Sequence, residues 1–218
     1  MSLSKFGKAI LSDIESTIAE LRQLHFIRDE SGIAQHCISR DSYEFTFSGR
    51  NDSNKVMYDK HISCSRLMDI LLTNRQYTIL LYDKSIIQAE FIVCGDEVVK
   101  ERLVFIKKHN KIWNTLEIDD CDANDEDWFS DEEGIPIVIR VDFDPEKHQE
   151  REHAISHLTF ANHESCRIPV KEALSFSAFV AFIMFHFYNI SITQKPFRIC
   201  ENETITCNEK QMLHISWN

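Results

Sequence analysis

Ser85–His109, "SIIQAEFIVCGDEVVKERLVFIKKH", is the stretch on which the fold turns. Two runs rich in Ile, Val and Phe alternate with polar residues, and Gly95-Asp96 stands between them. Successive side chains of a strand point to opposite faces, so such alternation marks a strand on each side of a two-residue hairpin turn. Working back from there, "QYTILLYD" (76–83) leads into the hairpin through a turn at Asp83-Lys84. Before it come "YEFTFSG" (43–49), "KVMYDKHIS" (55–63) and a short helical stretch, "CSRLMDILL" (64–72). The expectation is an antiparallel meander of about five strands that closes at a turn at His109-Asn110.

Upstream the period changes. Phe6, Ile10, Ile14, Ile18 and Leu21 recur at intervals of three to four, which predicts one amphipathic helix over residues 3–26. Downstream, Gly134-Ile135-Pro136 restarts order, and "PIVIRVDFDP" (136–145) alternates until Asp144-Pro145 ends it. "HAISHLTF" (153–160) and "CRIPV" (166–170) read as further strands. Ser175 is placed to cap a helix over "FSAFVAFIMFHFYN" (176–189), whose stripe Phe176, Phe179, Phe182, Phe185 is assigned to core packing. "FRIC" (197–200), "TITC" (204–207) and "MLHISW" (212–217) read as closing strands. The fold class is therefore α+β over residues 1–218 as a single domain: an N-terminal amphipathic helix, an antiparallel meander, and a C-terminal mixed sheet with one buried Phe-rich helix.

Charge separates one segment from the rest. Glu117–Glu133 holds ten acidic residues and no basic one; of 35 acidic residues in all, the remaining 25 face 24 Lys plus Arg, so this segment supplies nearly all of the net charge of -11. Such a block reads as a solvated, mobile loop; its functional alternative is a docking surface for a basic partner, through Asp125, Trp128, Phe129 and Asp131. An acidic chain is poorly suited to broad, non-specific nucleic-acid binding, although a small local site remains open to it. The seven cysteines are scattered, odd in number and without a C-x-x-C pair, and read as reduced thiols. No run approaches the ~18 apolar residues of a membrane span, and the first helix does not read as a signal sequence, so a soluble cytoplasmic protein is expected. Five scattered glycines supply no phosphate-binding loop, and any ATPase must come from a partner.

The chemistry-bearing stretch is "HQEREHAISHLTF" (148–160), because four of ten histidines fall between His148 and His163. His153-x-x-x-His157 has metal-ligand spacing for a helix, but the segment reads as strand, so no metal and no cofactor is expected. Arg151 and His157 share the Arg-to-His spacing of a class of RNases, against which the same strand reading counts. His157-Leu158-Thr159-Phe160 and His214-Ile215-Ser216-Trp217 both follow His-apolar-hydroxyl-apolar, which in a strand turns imidazole and hydroxyl to one face. This resembles the two-histidine phosphoesterases, with His157, Thr159, His214 and Ser216 as catalytic candidates and Arg140, His153 and Arg167 as substrate-binding ones. The structural alternative is a strand histidine hydrogen-bonded to a neighbour such as Asp142 or Asp144.

A wider resemblance covers the C-terminal half. A strand ending in Asp142-x-Asp144, the segment His153 to Leu158, Arg167-Ile168-Pro169, and the Phe-rich helix ending at Tyr188 together resemble the bacterial family of unknown function numbered 2290. Members often carry Pro after the first His of the second motif, where this chain has Ala154. The resemblance implies a setting in bacterial anti-phage defence and a helicase partner encoded by a neighbouring gene. It leads to the expectation of a non-ATPase accessory or effector subunit, with nucleic acid reached through that partner. A metal-independent phosphodiesterase or nuclease and a nucleic-acid sensor using His153, Arg167 and aromatic residues are the alternatives.

Overall fold

The computed structural model describes residues 3–47, 64–107, 137–160, 166–193, 195–200 and 203–216. The elements are α1 (Lys5–Gln23), β1 (Ile27–Glu30), β2 (Ile33–Cys37), β3 (Ser42–Phe47), α2 (Cys64–Thr73), β4 (Ile79–Leu81), β5 (Ile86–Cys94), β6 (Glu97–Lys107), β7 (Ile137–Phe143), β8 (Ser156–Phe160), β9 (Arg167–Pro169) and α3 (Phe176–Tyr188). The nine strands form one sheet and every strand pair in it is antiparallel. This is the α+β architecture that the alternation dictates.

The hairpin read from Ser85–His109 is β5–β6, paired from Ile86↔Ile106 to Cys94↔Glu97 with one shift of register between Ile92 and Val93. Its turn needs a left-handed residue, and Gly95 adopts φ +61 there. On its other edge β5 is shared: β4 pairs with Ile86 and Ile87, whereas β3 pairs with Phe91–Cys94. Beyond β6 the sheet continues through β7 and β8 to β9.

Alternation sorts the side chains into two faces. One packs Phe91, Leu103, Phe105, Ile139, Val141, Phe143 and Leu158 under α1 and α3, forming the large core. The other packs Ile86, Val104, Ile106 and Val138 with Leu67, Met68 and Leu71 of α2, forming a smaller one. α1 presents Ile10, Ile14, Ile18 and Leu21, the stripe read from the sequence. It ends earlier than expected, at Gln23, because His25 turns left-handed (φ 58) and sends Phe26 back over Tyr188.

Ser175 does cap α3, its hydroxyl accepting from Ala178 N–H. The phenylalanine stripe is core only in part: Phe176 and Phe179 are fully buried, whereas Phe185 is 55% exposed. Steps of three residues fall about 60° short of a helical turn each, so three steps carry Phe185 to the side opposite Phe176. Asp13 of α1 accepts from both the backbone N–H and the hydroxyl of Ser177, tying the two helices together inside the core.

Two expectations are corrected. The β1–β2 hairpin, turned at Gly32 with φ 71, was not foreseen, because "IRDESGIAQHC" lacks clear alternation. The closing strands over 197–200, 204–207 and 212–217 do not form; among the described residues that region contributes one parallel bridge, Val170↔Ile215. The outward edge of β9 carries Pro169, which has no N–H to extend a ladder. Ile215 N–H bonds to Pro169 O and Lys171 N–H to Ile215 O, and the pairing stops there. The expected strand over 55–63, the turn at His109-Asn110, and the acidic segment with Asp125, Trp128, Phe129 and Asp131 lie outside the described residues. Among the described residues no helix is long and apolar enough to cross a membrane.

Candidate functional site

Three of the motifs quoted above lie side by side. Asp142-x-Asp144 ends β7, His153 to Leu158 enters β8, and Arg167-Ile168-Pro169 is β9. Cross-strand register then builds two rows on the sheet face opposite the large core. One row is Val104–Arg140–Thr159–Arg167; the next is Arg102–Asp142–His157–Pro169. Neighbours in a row stand about 5 Å apart and the rows about 7 Å apart along the strands. Val104 also belongs to the smaller apolar core, so that core bounds the polar cluster on one side.

The second row is a buried ion cluster. Asp142 accepts from Arg102 Nε at 2.9 Å and Arg140 Nε at 2.5 Å. Burial pushes the Asp142 carboxyl up, but the charges of Arg140 and Arg102 outweigh that and hold it below its ordinary value. His157 Nε2 lies 3.8 Å from Asp142 Oδ2, beyond hydrogen-bond range. Its Nδ1 stands 3.0 Å from Ala154 O. A carbonyl only accepts, so Nδ1 carries the hydrogen and Nε2 the lone pair. Desolvation, opposed only in part by Asp142, pulls His157 down to about 4, so it is uncharged at neutral pH. The contact uses the backbone carbonyl of residue 154, which Pro also possesses, so Ala154 preserves it.

The first row and its approach hold three of the buried side-chain atoms that lack a hydrogen-bond partner among the described residues. Thr159 Oγ1, Arg167 Nε and His153 Nδ1 are each buried with no hydrogen-bond partner among the described residues. A buried polar atom left unbonded costs on the order of 1–3 kcal/mol, so three on one face point to a ligand that bonds to them. The His153 ring meets His157 edge-on, with centroids 4.6 Å apart. Desolvation, then the nearby Arg167 charge, lowers the His153 pKa as well. Around the approach, Asp144 pairs with Lys147 at 3.3 Å and Lys100 at 3.8 Å.

The fold thus gathers Arg140, His153, His157, Thr159 and Arg167 into one cluster. It sets His214 and Ser216 apart: they flank Ile215 on the outer edge of β9, so a whole strand lies between them and His157. Two inter-strand spacings make that ~10 Å, backbone to backbone. His214 Nδ1 contacts Met212 O, and Ser216 is exposed. The imidazoles that do meet, His153 and His157, come together through a turn pinned by the Gln149↔His153 bridge rather than through helical spacing. Arg102 is the member that sequence reading missed. Its signal is weak, since its place opposite Asp142 depends on a register that crosses from residue 102 to residue 142. Phe160, on the same face of β8 as the buried Leu158, is 44% exposed at the end of the strand. No group of three or more His, Cys, Asp or Glu among the described residues is arranged to hold a metal ion.

No curated protein and no solved structure matches the chain. A family model described as an uncharacterized conserved protein (DUF2290) matches residues 29–217, which takes in the whole sheet beyond the first two residues of β1 and every part of the polar cluster. The chain belongs to the DUF2290 family.

Proposed function

We propose that this protein is a non-ATPase accessory subunit of a helicase in bacterial anti-phage defence, and that its own part is to hold a phosphate group of nucleic acid on the β7–β9 face. The observation that carries the phosphate reading is the trio of unbonded buried atoms, Thr159 Oγ1, Arg167 Nε and His153 Nδ1, beside two arginines in one row. Guanidinium and hydroxyl groups are the donors that oxyanions select, and Arg in particular matches phosphate geometry. The resemblance of the three converging motifs to a defence-associated family supports the helicase setting, as does the lack of a phosphate loop in the chain.

Recognition is favoured over cleavage. A two-histidine phosphodiesterase needs one imidazole to accept a proton and the other to deliver one to the leaving group. His153 and His157 are both held below their ordinary pKa, His157 at about 4, which disfavours the protonated partner that the acid step needs. His214 and Ser216 stand beyond β9.

Two experiments test the proposal. Co-expression with the neighbouring helicase yields a complex on gel filtration, and deleting this gene restores phage plating; a chain that runs alone and a deletion without phenotype reject the helicase setting. Arg167→Ala weakens nucleic-acid binding while His214→Ala leaves it unchanged. The reverse ranking, or turnover of a single-stranded substrate that His157→Ala abolishes, replaces recognition with catalysis.

A further inference from the structure

We propose that residues 203–216 are a clamp on the β7–β9 cluster: docked, they hold the turn that carries His153 and the edge of β9, and their release lets both move. The consequence for binding rests on the phosphate reading above, whereas the mechanical coupling stands apart from it.

Two lines of contact run from this segment to the cluster. Along the first, Thr206 Oγ1 donates to the Glu150 carboxylate, and Glu209 Oε1 lies 3.4 Å from His148 Nε2. Residues 148 and 150 are therefore both held from outside. Gln149 between them exchanges backbone hydrogen bonds with His153: Gln149 N–H donates to His153 O at 2.9 Å and His153 N–H to Gln149 O at 2.7 Å. His153 in turn sets its ring against His157. Along the second line, Thr204 N–H and Oγ1 donate to Lys171 O and Val170 O, each at 2.7 Å, and Ile215 bonds to Pro169 and Lys171. These residues continue the chain from Arg167 of β9. The two half-buried members of the cluster, His153 and Arg167, thus each lie a short step of backbone from a residue that this segment holds.

Thr206 and Glu209 act together. Glu209 Oε2 accepts from Thr206 N–H at 2.9 Å and Thr206 Oγ1 accepts from Glu209 N–H at 3.2 Å, a reciprocal pair that folds residues 206–209 into one turn. Because both side chains belong to that turn, it engages His148 and Glu150 together or neither.

The docking is marginal. Of residues 203–216 only Thr204, Ile205 and Glu209 are buried; Ile215 is half-buried and Leu213 is 77% exposed. So little apolar burial stabilises the docked state weakly, and enclosing the Glu209 carboxylate opposes it. Glu209 is 0% exposed, and neither its Oε1 nor His148 Nε2 has a hydrogen-bond partner among the described residues. A segment fastened by a few polar contacts opens at a free energy well below that of the whole fold, as a releasable clamp requires.

The test is native-state hydrogen exchange on the full chain, followed by NMR, in wild type and in Glu209→Ala. The variant is expected to speed exchange of the Gln149 and His153 amides at least about tenfold, the effect of losing one hydrogen bond to a charged group, and to leave the β5–β6 hairpin within about twofold. Thr206→Val, which removes the hydroxyl that holds Glu150 and keeps the shape, is expected to do the same and serves where Glu209→Ala does not fold. Leu213→Ala, at an exposed position of the same segment, leaves both amides unchanged. Desolvation and the Arg167 charge hold His153 below its ordinary pKa, so opening the turn is expected to raise it, read from its imidazole shifts. Faster exchange at Thr204 and Ile215 with Gln149 and His153 unmoved overturns the clamp. So does a uniform acceleration that includes β5–β6, or no acceleration anywhere. Inorganic phosphate separates the two readings: it is expected to bind Glu209→Ala at least about threefold more weakly than wild type. Equal binding by a variant whose turn has opened overturns the clamp's hold on the site and leaves the phosphate reading standing. Wild type that binds no phosphate, with the coupling present, removes that reading and leaves the mechanical clamp.

Discussion

Thr159 concentrates the argument at the scale of single residues. Its hydroxyl is buried on a central strand with no partner among the described residues, so the fold gains nothing from it. Thr159→Val keeps the shape and removes the desolvated oxygen; it is expected to leave the melting temperature unchanged or to raise it, while cutting phosphate binding about tenfold, the worth of one good hydrogen bond to a charged group. A drop in stability with binding intact contradicts this. His157 plays the opposite part. Its pKa falls from the ordinary 6.5 to about 4 on folding, so the unfolded chain binds the proton more tightly. The stability it contributes is fully present above pH 6.5 and is lost as pH falls toward 4, at most about 3 kcal/mol. Denaturant melts between pH 7 and 4 should show that slope flattened in His157→Gln; an unchanged slope means another group carries it.

Elements are held by polar contacts as well as by their stripes. Asp13 on α1 bonds to Ser177 at the first turn of α3, inside the large core. Asp13→Ala leaves the Ser177 amide without that acceptor and is expected to cost about 2 kcal/mol or more in chemical denaturation, with Asp13→Asn losing less. A neutral Asp13→Ala shows that apolar packing alone seats α3. How much of this was legible in the sequence follows the range of the signal. α1, β5, β6, β7 and α3 each carry their own period within a dozen or so residues, and all formed. The β1–β2 hairpin has weak alternation and half-exposed strands, so only pairing with β3 and β4 organises it. The closing strands failed for the converse reason: their residues alternate, but Pro169 denies them an edge. In the candidate site, His157 and Thr159 sharing a face follows from period two alone. Their alignment with Arg140, Arg102 and Arg167 depends on the register of four strands, which no local pattern encodes.

Across the whole molecule the net charge is -11, while β7–β9 align Arg140 and Arg167 in a short cationic row. A protein that reads nucleic acid through a broad basic surface loses affinity steeply with salt, by about 0.7 in log K per log salt for each single-strand phosphate engaged. The proposed seat for one or two phosphates predicts a slope near -1 for a single strand. A slope of about -4 or steeper contradicts a local seat. The most direct measurement of the central claim is a crystal soaked in tungstate, a heavy-atom analogue of phosphate. The account predicts an anomalous peak with its oxygens in hydrogen-bond range of Thr159 Oγ1 and the Arg167 guanidinium. A tungstate-free seat, with both groups bonded to other parts of the chain, contradicts it.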